Sequence, residues 1–137
     1  MALGDMTEEQ EKRRSFAFCI RGKLHGLNEY ISAERSNKYI GAKMKHEDMT
    51  AVCFYIGKAE RLRPPVWIDY HFFEANKRRD KDNVAGWAHK VIQDALIKRG
   101  VIGNDGWSWV EGWTDAFSVD KKRPRIEVRI YEMHGES

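Results

Sequence analysis

The sequence of 137 residues has only two cysteines and three prolines, and it contains no CxxC pair. Since paired cysteines are the usual sign of a zinc site, a structural zinc is not expected. Cys19 and Cys53 lie in the apolar runs FAFCI and AVCFYI, where buried free thiols in a reducing compartment are the expected state. No apolar run is long enough to cross a membrane, and no signal peptide is visible. These absences predict a cytoplasmic protein without a membrane partner.

Hydrophobic residues make up 42% of the chain and aromatic residues 12%, including five tryptophans. This composition excludes a disordered protein and is enough for the core of one domain. We expect a flexible N-terminal tail over residues 1–14, one domain over 15–133 and a short tail over 134–137. The net charge of +3 permits nucleic-acid binding without requiring it. The basic pair Arg13 and Arg14 is expected to lie on a solvated surface.

Several stretches have the composition of β-strands. Residues 16–20 are apolar, residues 65–73 are β-branched and aromatic as in a central strand, and residues 125–133 alternate as an antiparallel edge strand would. Residues 107–113 and 116–119 are shorter β-like pieces. The segment after the first strand, with its glycines, predicts a loop.

Two helices are predicted from apolar residues spaced three and four apart. The first begins near Asp48 and is ended by Pro64 and Pro65. The second is preceded by Asp82 or Asn83 as a cap and is followed by Gly100. Its apolar stripe consists of Val84, Trp87, Ala88, Val91, Ile92, Ala95 and Leu96. The order of elements predicts an α/β (α+β) fold, a small mixed sheet packed with two main helices.

Three aspartates form the most informative pattern. Asp80 and Asp82 are two residues apart, so in an extended segment both side chains point the same way. Asp105 lies in an Asn-Asp-Gly turn beyond the other end of the second helix, which spans about 24 Å. Asp105 can therefore join the other two only from a neighbouring segment or from a second subunit, which favours a homodimer.

Clustered carboxylates repel each other, and a hard cation such as Mg²⁺ relieves that repulsion. Carboxylates flanked by cations are typical of a phosphodiester site, with Lys90 on the polar face of the helix able to approach the phosphate. From spacing alone, a helix cap at Asp82 and a turn at Asp105 explain these residues at least as well. The cations expected to contact DNA are Lys77, Arg78, Arg79, Lys81, Lys43 and Lys45.

Two segments, RRDKDN (78–83) and KVIQDALIKRGVIGND (90–105), together resemble the RusA family of Holliday junction resolvases, known largely from phages and prophages. The likeness extends from about residue 16 to residue 132. It is specific because spaced polar residues agree, not only apolar ones. The matching positions are Arg78, Asp80, Asp82, Asn83, Lys90, Asp94, Ala95, Leu96, Gly100 and Asp105.

The resemblance implies a small α/β homodimer that cuts four-way DNA junctions by paired symmetric nicks. It makes Asp80, Asp82 and Asp105 the ligands of a catalytic Mg²⁺, which Mn²⁺ could replace. It gives Lys90 the role of the family's essential lysine, although Lys90 aligns only after a short insertion, and Lys81 is the alternative. Asn104 replaces the first carboxylate of the family's terminal acidic pair.

Two other functions stay open. The chain could bind branched DNA without cutting it, because basic runs suffice for binding, or it could be a nuclease for flaps or replication forks. Trp107, Trp109 and Trp113 could stack on unpaired bases, but core packing or a dimer contact explains them equally well. Glu111 is expected to be solvated, and His71 and His89 to make ordinary polar contacts.

Overall fold

The computed structural model describes residues 13–134. It contains four strands and three helices within this range, so the predicted α+β class is confirmed, with one helix more than expected. In chain order the elements are β1 (Ser15–Arg21), α1 (Leu27–Ser36), α2 (Lys38–Ile56), β2 (Val66–Glu74), α3 (Lys81–Lys98), β3 (Val110–Val119) and β4 (Arg125–Glu132).

The four strands form one mixed sheet in the order β1-β4-β2-β3. β4 is antiparallel to both β1 and β2, whereas β2 and β3 are parallel and are joined through α3. β2 is a central strand, as predicted. The prediction that the last strand lies at an edge is wrong, because β4 has a neighbour on each side. Its alternating pattern arises because one face of the sheet packs on helices and the other carries Arg125, Glu127 and Arg129.

Helix α3 forms the centre of the core. Every residue of its predicted apolar stripe is buried, and the stripe packs against Ile68, Tyr70 and Phe72 of β2. Gln93, the residue after Ile92, is also buried, and it donates a hydrogen bond to the Tyr70 hydroxyl over 3.2 Å. Burial raises the pKa of Tyr70 above its usual range, so the phenol stays protonated. Gly100, with a φ of 78°, follows the end of α3 as predicted.

The other two helices differ from the predictions. α1 lies partly in the stretch expected to be a loop. Leu27, Tyr30 and Ile31 have helical spacing, but this apolar stripe is short and none of the residues of α1 is fully buried. α2 begins at Lys38 rather than near Asp48. It ends at Gly57, which has a φ of 62°, and not at the prolines. Glycine accepts this backbone conformation at no steric cost, so it ends the helix first.

Arg14 belongs to the folded domain and not to a solvated tail. Its guanidinium donates to Glu60 and to the carbonyl oxygen of Arg61, both over 3.2 Å, and lies 3.5 Å from the buried Glu132. Residues 1–12 and 135–137 lie outside the described range, so the predicted tails there are not tested. Cys19 and Cys53 are free, as predicted, but only half-buried.

Candidate metal centre

A cavity of about 680 Å³ lies at the end of the sheet where β2 and β3 finish and α3 begins. Strand ends and a helix start meet here because β2 leads directly into α3, and β3 returns parallel to β2. The lining is rich in charged side chains of both signs. It consists of Glu74, Asn76, Lys77, Arg79, Asp80, Lys81, Asp82, Val84, Phe117, Ser118 and Val119.

Asp80 and Asp82 both line this cavity, so the structure brings together the two carboxylates that the spacing predicted. The expected extended segment is wrong, because Asp82 is the second residue of α3. Asp80 is the N-cap of α3, but its side chain makes no capping hydrogen bond. The prediction of a cap at Asp82 or Asn83 is therefore wrong, because the helix already begins at Lys81. The carbonyl oxygen of Asp80 accepts the first hydrogen bond of the helix, from Val84 N over 3.1 Å. Within residues 13–134 neither carboxylate has a hydrogen-bond or ion-pair partner. The positive end of α3 stabilises their negative charge.

Glu74, a third carboxylate at the cavity, is already neutralised. Arg79 donates two hydrogen bonds to it, over 2.8 and 2.9 Å, and a third to the carbonyl oxygen of Leu24 over 2.9 Å. This fork holds the segment between β2 and α3 in place. Arg79 was predicted to contact DNA, but its side chain is 16% exposed and its donors are occupied. It therefore positions the segment that carries Asp80.

Asn83 connects the start of α3 to α1. Its side-chain oxygen accepts a hydrogen bond from Asn28 N over 2.7 Å, and its amide lies where a side chain on Gly26 would be. Because Asn83 directly follows Asp82, this contact restrains the backbone of the carboxylate pair. The asparagine of the RRDKDN motif thus has a structural explanation.

The predicted cations divide into two groups. Lys77 and Lys81 line the cavity, Arg78 is exposed beside it, and the Lys81 ammonium lies 5.5 Å from the centre of the Phe117 ring. These residues can meet a phosphate next to the carboxylate pair. Lys43 and Lys45 form the second group, which lies on α2 and outside this lining.

Lys90 lies outside the cavity lining. Its ammonium is 3.3 Å from Asp94, which is also 3.2 Å from the ammonium of Lys45. Nine residues of helix separate Lys90 from Lys81, which is about 14 Å along the axis. Lys81, the alternative to Lys90, is therefore the lysine that this structure brings to Asp80 and Asp82.

Asp105 is far from the pair within one chain. It lies in the turn between α3 and β3, where Asn104 accepts a hydrogen bond from Gly106 N over 2.8 Å. This turn leads into Val110, which pairs with the first residue of β2, whereas Asp80 lies beyond the last. A strand of nine residues spans about 26 Å. Among the described residues, no group of three or more His, Cys, Asp or Glu side chains could hold a metal ion.

The three tryptophans near Asp105 have different environments. Trp107 is fully exposed, Trp109 is half-buried with Arg61 over its ring at 5.1 Å, and Trp113 is 46% exposed on β3. His89 lies 2.8 Å from Asp115, which fits the ordinary polar contact expected for it. Glu111 is exposed, as expected.

Sequence reasoning missed Glu74 and Phe117 as part of the cavity. A carboxylate at the end of a predicted strand, five residues before an arginine, was the available signal for the Glu74–Arg79 fork. Phe117 could not be found in this way, because its place follows from the parallel pairing of β3 with β2.

No helix within the described range is long and apolar enough to span a membrane. In comparisons with known proteins, no protein-family model and no curated protein matched this chain.

Proposed function

We propose that this chain is a Mg²⁺-dependent endonuclease that cuts branched DNA, four-way junctions in particular, in the cytoplasm. The observation that carries the proposal is the pair Asp80 and Asp82, which has no side-chain partner among residues 13–134 and lines a cavity together with Lys77 and Lys81. At an open cavity, carboxylates suit the binding of a metal ion, and neighbouring lysines suit the binding of a substrate phosphate.

The donor set fits Mg²⁺. This ion prefers oxygen ligands and is commonly held by one or two carboxylates together with substrate phosphates, so Asp80 and Asp82 could hold it. The chemistry that such an ion supplies is Lewis-acid stabilisation of charge at a phosphodiester. The chain's own lysines, Lys77 and Lys81, would hold the phosphate.

A second copy of the chain could supply the third carboxylate. β3 is one of the two edge strands of the sheet, is ten residues long and, within residues 13–134, pairs with β2 alone. It carries exposed apolar side chains, with Trp113 46% and Val119 49% exposed. A long exposed edge of this kind favours pairing with another strand. Antiparallel pairing of two β3 strands would form a closed dimer with two-fold symmetry.

This pairing would place the end of one β3 beside the start of the partner's β3. Val119, at the end of β3, lines the cavity that contains Asp80 and Asp82. Asp105 precedes the start of β3 at Val110 by five residues. The partner's Asp105 would therefore approach this cavity, which the Asp105 of the same chain cannot reach. Two such sites, related by the two-fold axis, suit paired cuts in opposed strands.

Cleavage of a synthetic four-way junction in the presence of Mg²⁺ tests the activity, with a fork, a flap and a plain duplex as comparison substrates. We expect the junction to be cut fastest, and Asp82→Asn to lose at least a hundredfold in rate while still binding. Glu47→Gln, which removes an exposed carboxylate of α2, is the matched control and should cut normally. Normal cutting by Asp82→Asn would reject the site.

Mixing two inactive variants tests whether the site is shared between subunits. In a heterodimer of Asp82→Asn with Asp105→Asn, one of the two sites keeps all three aspartates. We expect each variant alone to be inactive and the mixture to nick one strand of the junction. An inactive mixture that still forms heterodimers would show that Asp105 does not act across the interface.

DNA binding without catalysis is the second candidate function. The separation of Asp105 from Asp80 within one chain favours it. A junction that is bound but not cut at any Mg²⁺ or Mn²⁺ concentration would support this alternative over the nuclease.

A further inference from the structure

Five exposed cations lie around the ends of β1 and β3. Arg21 is the last residue of β1, Lys23 follows that strand, and Lys121, Lys122 and Arg123 lie in the loop between β3 and β4. We refer to these five residues as the cationic end surface. We propose that it holds a duplex arm of the DNA substrate through its backbone phosphates, next to the carboxylate cavity. This inference rests on the proposed function only in taking DNA as the partner.

The charges of this surface are not neutralised within the part of the chain that the structure describes. None of the five side chains has an ion-pair partner there. By contrast, the neighbouring Arg125 is bound to Asp120 and Glu127, over 2.8 and 2.9 Å. Because the whole chain has a net charge of only +3, five uncompensated cations concentrate the positive potential at this end of the molecule.

The β3–β4 loop is held in one conformation. The Asp120 carboxylate accepts hydrogen bonds from Lys122 N and Arg123 N, over 3.2 and 3.1 Å. The hydrogen bond from Arg125, followed by those from the loop backbone, lowers the pKa of Asp120 below its usual value. Arg125 in turn lies 3.8 Å over the Phe73 ring. The loop cations are thus presented by a pre-formed turn, which reduces the entropy lost on binding.

The two cationic segments are joined to each other and to the carboxylate cavity. Gly22 N donates to Pro124 O over 2.8 Å, which places the turn after β1 beside the loop. Asp120 N donates to Glu74 O over 2.8 Å, and Glu74 lines the carboxylate cavity. A second cavity of about 550 Å³ lies between the segments. It is lined by Cys19, Arg21, Asp120, Arg123, Pro124 and Arg125.

The chemistry of the surface indicates phosphates rather than bases. Lysine ammonium groups act as point charges, and a duplex presents one phosphate for about every 1.7 Å of its axis. All five members are lysine or arginine, so the surface lacks the asparagine and glutamine amides that read adenine and consists of the residue types that most commonly contact phosphates. It should therefore bind DNA largely without regard to sequence, as a duplex arm beside a cleavage point requires.

The salt dependence of binding tests the proposal. Binding to a four-way junction is measured in EDTA, where cutting is prevented, for the full chain and for Lys121→Gln/Lys122→Gln/Arg123→Gln. Each lost phosphate contact removes about 0.9 from the slope of log K against log salt concentration. We expect the triple variant to have a slope shallower by about 2 to 3 and to bind more than tenfold more weakly at 0.1 M salt.

Two further variants separate a local contact from a general effect of charge. Arg35→Gln/Lys38→Gln/Lys58→Gln removes the same charge from exposed positions in or just after α1 and α2. This variant should change the slope by less than 1. Lys121→Arg/Lys122→Arg keeps the charge and should keep the slope. Equal slope changes in both triple variants, or no change in the loop variant, would overturn the proposal.

The outcome for the surface is independent of the outcome for cleavage. A protein that binds with the loop-dependent slope but never cuts would reject the nuclease and retain the surface. A protein that cuts junctions while the loop variant binds like the unmodified chain would reject the surface alone. Failure of the unmodified chain to bind DNA would reject both.

Discussion

The indole Nε1 of Trp87 donates a hydrogen bond to Oδ2 of Asp48 over 2.7 Å, where both residues are almost completely buried. Asp48 also accepts a hydrogen bond from His25 N over 3.0 Å, and its other oxygen lies 2.9 Å from the His25 ring. This carboxylate therefore joins α2 to α3 and to the segment before α1. A buried charge with several donors is stabilising only while all the donors remain.

The first prediction concerns the hydrogen bond from Trp87 to Asp48. Trp87→Phe keeps most of the apolar surface but removes one donor from the buried carboxylate, so we expect a loss of about 1.5–3 kcal/mol of unfolding free energy. Urea denaturation measures it. Trp107→Phe, at a fully exposed position, should lie within about 0.5 kcal/mol of the unmodified chain. Equal stabilities of the two variants would contradict the assignment.

The second prediction concerns the approach of α1 to α3. A Cβ on Gly26 would lie 2.7 Å from the Asn83 side-chain nitrogen, so Gly26→Ala must displace the amide that binds Asn28 N. We expect a cost of about 1–3 kcal/mol, measured by thermal or urea unfolding. In the background of Asn83→Ala the clash is absent, and Gly26→Ala should then cost much less. Additive effects would show that the two residues do not interact.

The third prediction concerns pH. The pKa of Asp120 is lowered in the folded chain, chiefly by the hydrogen bond from Arg125. The carboxylate therefore contributes stability above its unfolded-state pKa, about 3.9, and loses that contribution as the pH falls through the lower folded-state value. The stability difference between the unmodified chain and Asp120→Asn should be constant above about pH 5 and shrink in more acidic solution. A difference that does not change with pH would contradict this.

The fourth prediction concerns metal binding without DNA. An ion that binds only the folded chain raises the unfolding temperature with its concentration. We expect MgCl₂ or MnCl₂ to raise the Tm of the unmodified chain, and Asp82→Asn to lose that rise. KCl at matched ionic strength controls for screening. A Tm rise that persists in both Asp80→Asn and Asp82→Asn would place the ion elsewhere.

The fifth prediction concerns the β3 edge. Trp113→Lys puts a charge in the middle of the exposed edge, where two copies would face each other, so we expect a monomer in sedimentation velocity. Phe54→Lys, at a residue 73% exposed on α2, should leave the dimer intact. A monomeric unmodified chain at micromolar concentration would reject the edge pairing.

The sequence predicted those parts of the fold that depend on local periodicity. The stripe from Val84 to Leu96 predicted α3 because a buried helix repeats its apolar residues every three or four positions. α1 was missed because its packing buries no residue completely. β4 was misplaced because alternation distinguishes the faces of a strand and contains no information about its neighbours.

The same limit applies to the site. Asp80 and Asp82 could be paired from their spacing, since two positions of one segment must be close in space. The position of Asp105 depends on strand order and, as we propose, on a second chain. The Glu74–Arg79 fork, which supports the pair, is a contact between two charged side chains, and the periodicity of apolar residues does not predict such contacts.

The position of the carboxylate cavity at the end of β3 has a further consequence. If two copies pair along β3, the distance between their metal sites is set by the length of that strand, and so is the number of nucleotides between the two cuts. The edge strand would then act as a molecular ruler, and shortening β3 would change the stagger of the cleavage products rather than the rate of either cut.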